Sequence, residues 1–164
     1  YTDPATAKEQ TIGMLNACAD MVWGCAGGSG NGVFEAISEV RAAGNTNVWA
    51  LGVDSDQYTA LSAQPTLANT ILTSGMKNCD IGILNAITMI IDGTAPYGTQ
   101  EMKGYASGAV GLAENDYYTA NMTADEVALV KTFTDKVLNG ETVVVDELAT
   151  PGVFDTLYAQ YGVK

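Results

Sequence analysis

Short apolar segments alternate with helical patterns through the first 91 residues of this chain. Residues 21–25 and 48–53 are short apolar runs, as expected of strands buried on both faces. Apolar residues recur at helical spacing over residues 4–19, 33–43 and 76–91. Alternating strands and helices are typical of βαβ units. The sequence therefore predicts a three-layer α/β/α fold with a mainly parallel sheet.

Shorter elements are predicted for the rest of the chain. They are a polar connection at 57–69, strands at 69–73, 109–113 and 142–145, a helix at 123–138, and a last short helix from Thr150.

The composition describes a single acidic domain. The 164 residues carry 19 acidic and 7 basic side chains, a net charge of −12. Without a basic cluster, the chain is not expected to bind nucleic acid, because neutralising phosphates requires clustered Lys and Arg. No apolar run approaches the roughly 20 residues that span a bilayer. The longest, residues 81–91, is expected to be a core helix.

The three cysteines, Cys18, Cys25 and Cys79, lie in apolar surroundings and are expected as small buried residues. Their spacing leaves a Cys18–Cys25 bridge open. The chain has no histidine, so Cys-His and Ser-His catalytic arrangements are excluded. No metal site and no cofactor are predicted.

A glycine-rich segment follows the first apolar run. Gly28, Gly30 and Gly32 are spaced two apart, so they do not match the Gly-x-Gly-x-x-Gly motif of dinucleotide-binding loops. No Gly-Lys-Ser/Thr follows, so the segment is not a phosphate-binding P-loop either. A strand-to-helix turn remains, at which bare backbone, including Gly27, can approach a ligand. The alternative is tight packing of strand against helix.

Two carboxylates, Asp54 and Asp56, follow the second apolar run. Ligands of α/β proteins meet the carboxyl ends of the strands, so both would stand at the mouth of a crevice. Asp54 is interpreted as an acceptor for ligand hydroxyls, since a charged hydrogen bond contributes about 1.5–3 kcal/mol. Asp56 is either a second ligand contact or the cap of the next turn. An acid/base pair or a hard-cation site stays open.

Lys77 and Trp23 are the other candidates. Lys77 is placed in the first turn of the helix at 76–91, where it opposes the helix dipole. Pairing with Asp54 or contacting a ligand would explain it better than a solvated surface role. Trp23 is either a core residue with a partner for its indole N–H or a surface for stacking a flat ring. Phe34 is expected in the core.

Six segments occur in an order typical of one family. They are Tyr1-Thr-Asp-Pro-Ala-Thr-Ala-Lys-Glu9, Ala19-Asp20, Ala26-Gly-Gly-Ser-Gly-Asn-Gly-Val-Phe34, Gly52-Val-Asp-Ser-Asp-Gln57, Leu72-Thr-Ser-Gly-Met-Lys77 and Gly108-Ala-Val-Gly-Leu-Ala113. Over residues 1 to about 140, the chain resembles the basic membrane protein family of substrate-binding lipoproteins, which serve nucleoside-type ABC importers.

The resemblance implies a type I periplasmic-binding-protein fold, in which two α/β lobes close on a purine nucleoside. It implies that Asp54 binds ribose hydroxyls, that Lys77 lies beside it, and that Trp23 stacks on the base. Residues 1–164 would be the C-terminal lobe, with about 108–164 including the segment that returns toward an absent N-terminal lobe. The implied partners are a nucleoside-like ligand and an ABC permease. The implied location is extracytoplasmic, on a membrane-anchored lipoprotein.

A single lobe covers about half of a ligand, so weak or undetectable nucleoside binding is expected from this chain alone. Apolar surface left by the absent lobe favours self-association. Two other functions stay open: a sensor module on the same fold, and a hydrolase of sugars or nucleosides that uses Asp54 and Asp56. A binding protein, not an enzyme, is the preferred interpretation.

Overall fold

A four-stranded mixed sheet forms the centre of the fold. The computed structural model describes residues 2–146 and 150–162. The strands lie in the order β1-β2-β3-β4; the first three are parallel and β4 is antiparallel. They are β1 (Met21–Trp23), β2 (Trp49–Asp54), β3 (Ile71–Lys77) and β4 (Val110–Leu112). The predicted mainly parallel α/β architecture is thus observed.

Helices precede, connect and follow these strands. Asp3 caps α1 through its side chain, and Pro4 occupies the first helical position, as the sequence predicts. The helices are α1 (Pro4–Asn16), α2 (Asn31–Ala42), α3 (Gln57–Ala60), α4 (Pro65–Ala68), α5 (Cys79–Ile91), α6 (Asp116–Asn121), α7 (Ala124–Leu138) and α8 (Val153–Tyr161).

The core lies where α2 packs on the sheet. Phe34 and Ile37 of α2 are fully buried together with Ala50 of β2 and Ile71 of β3. These residues recur at helical spacing in α2 and stand in neighbouring strands of the sheet, which brings them into one cluster. The expected core position of Phe34 is confirmed.

The third strand is longer than predicted, so Lys77 lies in β3 rather than in α5. The sequence predicts a turn and the start of a helix at 74–77, yet β3 continues to Lys77 and α5 begins only at Cys79. The extension pairs with β4, with Gly75 opposite Leu112 and Lys77 opposite Val110. Lys77 therefore ends a strand, and its predicted position in a first helical turn is wrong.

Two other predicted segments differ from the structure. The polar connection at 57–69 contains α3, capped by Asp56, and α4, which starts at Pro65. Residues 142–145 form no strand. Four apolar-rich residues cannot hold a strand conformation without a neighbouring strand to pair with.

The apolar helix α5 and the cysteines are not core elements, contrary to expectation. Among the described residues of α5, none is buried. Cys18, Cys25 and Cys79 are all exposed and all free thiols, so the Cys18–Cys25 bridge is absent. Apolar neighbours in sequence do not ensure burial, because burial depends on what packs over the segment.

The chain forms two compact units, residues 1–123 and 124–164. The first contains the sheet with α1 to α6. The second contains α7 and α8, and a Lys131–Asp135 ion pair joins successive turns of α7. Within the described ranges, no helix is both long and apolar enough to cross a membrane.

Candidate functional site

The carboxyl ends of β1 and β2 lie side by side. The two strands are parallel, with Trp23 opposite Leu51, and the Gly24 N–H donates to the Leu51 carbonyl at 2.9 Å. The glycine turn and Asp54 therefore leave the sheet at the same edge. A site shared by these two segments requires this arrangement.

Asp54 and Lys77 form an ion pair at this edge. Lys77 Nζ donates to Asp54 Oδ1 at 2.7 Å, and both side chains are more than half exposed (53% for Asp54 and 64% for Lys77). This hydrogen bond and the carboxylate charge raise the pKa of Lys77. Asp54 has a left-handed backbone, with φ of 71°, which is uncommon outside glycine. The pair presents a charged, oriented acceptor to solvent.

A hydrogen-bonded support lies beneath Asp54. The Val53 N–H donates to Gln57 Oε1 at 2.8 Å, and the Gln57 N–H donates to Ser74 Oγ at 3.2 Å. Gly52 makes room for both groups: a Cβ there would lie 2.4 Å from Ser74 Oγ and 2.5 Å from Gln57 Oε1. These contacts hold the end of β2. Gln57 and Ser74 are not predicted as site residues, although both stand within the segments that carry the family resemblance.

Trp23 is exposed and yet anchored. Its indole Nε1 donates to the Gly52 carbonyl at 3.0 Å, while 57% of the residue remains accessible. A Cβ on Gly75 would lie 3.6 Å from Trp23 Cζ2, so the ring reaches across β2 to the glycine of β3. Of the two interpretations offered for Trp23, the core position is wrong. An anchored ring with an open surface can stack on a planar ligand.

The glycines of residues 27–32 have two different roles. Gly27 has a φ of 56°, and Gly27 and Gly28 are exposed within a 3-10 turn, Gly27–Gly30. Gly32, in contrast, permits close packing of α2 on α1, because a Cβ there would lie 1.9 Å from the Pro4 carbonyl oxygen. Bare backbone therefore faces solvent at Gly27 and Gly28. The alternative interpretation, close packing, applies to Gly32, but the contact there joins two helices rather than a strand and a helix.

Asp56 is occupied by protein contacts. Its carboxylate accepts from the backbone and hydroxyl of Thr59, and both oxygens accept from Asn115 Nδ2 at 3.0 Å. Burial alone would raise the pKa of Asp56, but the hydrogen bonds from Thr59 and Asn115 outweigh it and lower that pKa. Asp56 is therefore the cap of the next turn, which is one of the two roles expected for it. Its carboxylate is engaged by Thr59 and Asn115 rather than by Asp54.

Comparison with known proteins identifies a family. The pattern described as "ABC transporter substrate-binding protein PnrA-like" matches residues 1–145. The CD4+ T-cell-stimulating antigen of Listeria monocytogenes is 33% identical over 140 residues, covering 82% of this chain and 38% of the relative. The ABC transporter nucleoside-binding protein BmpA of Lactococcus lactis is 29% identical over 139 residues, covering 80% and 38%. The chain thus spans well under half the length of these relatives.

Solved structures confirm the α/β fold. A solute-binding protein of an ABC transporter system from Aeropyrum pernix K1 superposes with a TM-score of 0.68 at 22% identity, over 96% of this chain and 49% of that one. A second, from Conexibacter woesei, gives 0.61 at 17% identity, over 88% and 43%. At these identities the likeness concerns the fold alone. It agrees with the predicted α/β fold of the periplasmic-binding-protein type.

Proposed function

The chain belongs to the PnrA-like family of ABC transporter substrate-binding proteins, and on that premise we propose that it forms one side of a cleft for a purine nucleoside or a similar ribosyl ligand. The observation that carries the proposal is the grouping of Asp54, Lys77 and Trp23 at one sheet edge, all more than half exposed. Exposed charge beside an anchored aromatic ring suits a ligand with hydroxyls and a flat base.

Each side chain has a part in this binding. The Asp54 carboxylate accepts from two ribose hydroxyls, and Lys77 holds it in that orientation through the 2.7 Å contact. The Trp23 ring stacks on the base. Exposed backbone at Gly27 and Gly28 comes close to the ligand without side-chain obstruction. Asp56 supports the site through Asn115 and makes no ligand contact.

The proposal extends to the longer protein that the relatives suggest. A closed cleft buries 70–90% or more of its ligand, whereas the edge described above is open. A second, N-terminal lobe would close on it, with residues from about 108 to 164 including the segment that returns toward that lobe. Such a protein would deliver its ligand to an ABC permease from an extracytoplasmic, lipid-anchored position. The nucleoside-binding description of the Lactococcus relative supports this ligand class.

Saturation-transfer NMR tests the ligand assignment in the 164-residue chain. Adenosine and inosine should receive magnetisation from the protein, with an affinity too weak for calorimetry. The Asp54→Asn variant should lose most of this transfer, because it lacks the charged acceptor. Asparagine tolerates the left-handed backbone at this position, so the fold should be unchanged.

A matched variant controls for charge. Asp20→Asn removes an exposed carboxylate just before β1, at the opposite end of the sheet from Trp23. It should leave the transfer intact. Transfer from the Asp54→Asn variant equal to that from the unmodified chain would exclude this edge as the nucleoside site. Free base in the sample would indicate the hydrolase alternative.

A further inference from the structure

The backbone turns sharply at Asp54. The Ser55 N–H donates to the Val53 carbonyl at 2.9 Å, and Asp54, the residue between them, has a φ of 71°. A three-residue turn with a positive φ at its centre is the rare, strained form of the γ-turn. Strained backbone of this kind persists only where surrounding contacts hold it. The direction of the Asp54 carboxylate therefore depends on the contacts that fix residues 53–55.

The side chain of Gln57 fixes the start of this turn. The Val53 N–H donates to Gln57 Oε1 at 2.8 Å, and Val53 is itself buried. A buried backbone N–H requires an acceptor, and here a side chain four residues further along the chain supplies it. The contact spans the whole turn, because Asp54 and Ser55 lie between its two ends.

Gln57 is in turn attached to the sheet. Its N–H donates to Oγ of Ser74, a fully buried residue of the adjacent strand β3. Gln57 is also the first residue of α3, which Asp56 caps. The side chain of Gln57 thus extends from a fixed backbone, so its oxygen can hold the end of β2 in one position. All these residues lie within one compact unit, residues 1–123.

The ion pair at the end of the turn benefits from this support. Holding two exposed side chains in one geometry costs conformational entropy. Lys77 is long and 64% exposed, so the fixed partner in the pair is Asp54, which has the shorter side chain and the held backbone.

We propose that Gln57 is the positioning residue of this site: its Oε1 holds residues 53–55 in the turn that directs the Asp54 carboxylate toward Lys77. The part of this inference that concerns a ligand rests on the proposed function. The part that concerns the Asp54–Lys77 contact does not.

NMR titration of Lys77 in the Gln57→Met variant tests the positioning role. Methionine keeps the length of the side chain, the helix propensity and the backbone N–H to Ser74, but it lacks the oxygen. The pKa of Lys77 is raised first by the hydrogen bond to Asp54 and by that carboxylate's charge, and less by Cys25 and Cys79. In Gln57→Met, we expect the pKa of Lys77 to fall toward the ordinary lysine value, since both thiols remain.

Gln64→Met is the matched control. Gln64 precedes α4 as Gln57 begins α3, but it is exposed and its side chain makes no capping hydrogen bond. The same substitution there should leave the pKa of Lys77 raised. The inference is overturned if the pKa of Lys77 stays raised in Gln57→Met, or if it falls equally in both variants.

Hydrogen exchange of the unmodified chain provides a test that needs no variant to fold. The Val53 and Ser55 amides should both exchange slowly, because each donates within the turn or to Gln57. Exchange of either amide as fast as in an unstructured peptide would overturn the inference.

Saturation transfer to adenosine separates this inference from the proposed function. Transfer should fall in Gln57→Met and persist in Gln64→Met. A lowered pKa of Lys77 with unchanged transfer would support Gln57 as the residue that positions Asp54, and would contradict the nucleoside site instead.

Discussion

Lys77 Nζ lies 2.7 Å from Asp54 Oδ1, joining the last residues of two adjacent parallel strands. Both side chains are more than half exposed. Exposed pairs of this kind contribute little to the stability of a fold, because water and salt screen the two charges. The geometry therefore matters more for the position of the carboxylate than for the stability of the sheet.

Lys77→Met should separate these two effects. We expect the free energy of unfolding to change little, because solvent and salt screen this exposed pair. Nucleoside contact, measured by saturation transfer, should fall clearly, since the carboxylate loses its fixed orientation. A large loss of stability with unchanged ligand contact would contradict the proposed role.

Trp23 should report on the ligand through fluorescence. In a Trp49→Phe background, Trp23 is the single tryptophan, and its exposed ring should be readily quenched by acrylamide. Adenosine should reduce that quenching by covering the ring. Trp23→Ala should abolish nucleoside contact, and Trp23→Phe should retain part of it, because phenylalanine keeps a ring but lacks the donor to the Gly52 carbonyl.

Gly52→Ala should destabilise the fold by roughly 1–3 kcal/mol, since the new Cβ overlaps Ser74 Oγ and Gln57 Oε1. Gly13→Ala is the matched control. Gly13 lies within α1, and a Cβ added there would meet nothing within 4 Å, so this change should stabilise the fold by about 0.5–1 kcal/mol. Urea denaturation of both variants measures the contrast. Equal effects would show that the support beneath Asp54 is not tightly packed.

Asp56 should make stability depend on pH. Its pKa is lower in the folded chain than the ordinary value of about 3.9. The unfolded chain therefore binds the proton more tightly, so the stabilisation is present above that value and is lost as pH falls through the folded pKa. Asp56→Asn should be less stable by roughly 1 kcal/mol at neutral pH. The two stability curves should converge in acid.

Asn115→Ala tests the same contact from its other side. It removes the donor to both Asp56 oxygens, so the dependence of stability on acid pH should become shallower than in the unmodified chain. Denaturation midpoints measured from neutral to acid pH provide the comparison. An unchanged pH profile in both variants would mean that other carboxylates govern acid unfolding.

The amino-acid sequence by itself determined the elements whose signals are local. Asp3 and Pro4 specify the start of α1, and the apolar run before Asp54 specifies a buried strand. Parallel strands end at a common edge, so the meeting of Asp54 with the glycine turn could also be predicted. The family resemblance, carried by ordered short segments, added the periplasmic-binding-protein type of fold.

Only the tertiary structure decided the features that depend on distant partners. Lys77 is strand rather than helix because residues 110–112 pair with the end of β3. Asp56 is engaged because Asn115, 59 residues away, reaches it. No residue of α5 is buried, although its sequence is strongly apolar. Local propensity and periodicity carry no information on such contacts, since these arise only when segments far apart in sequence come together.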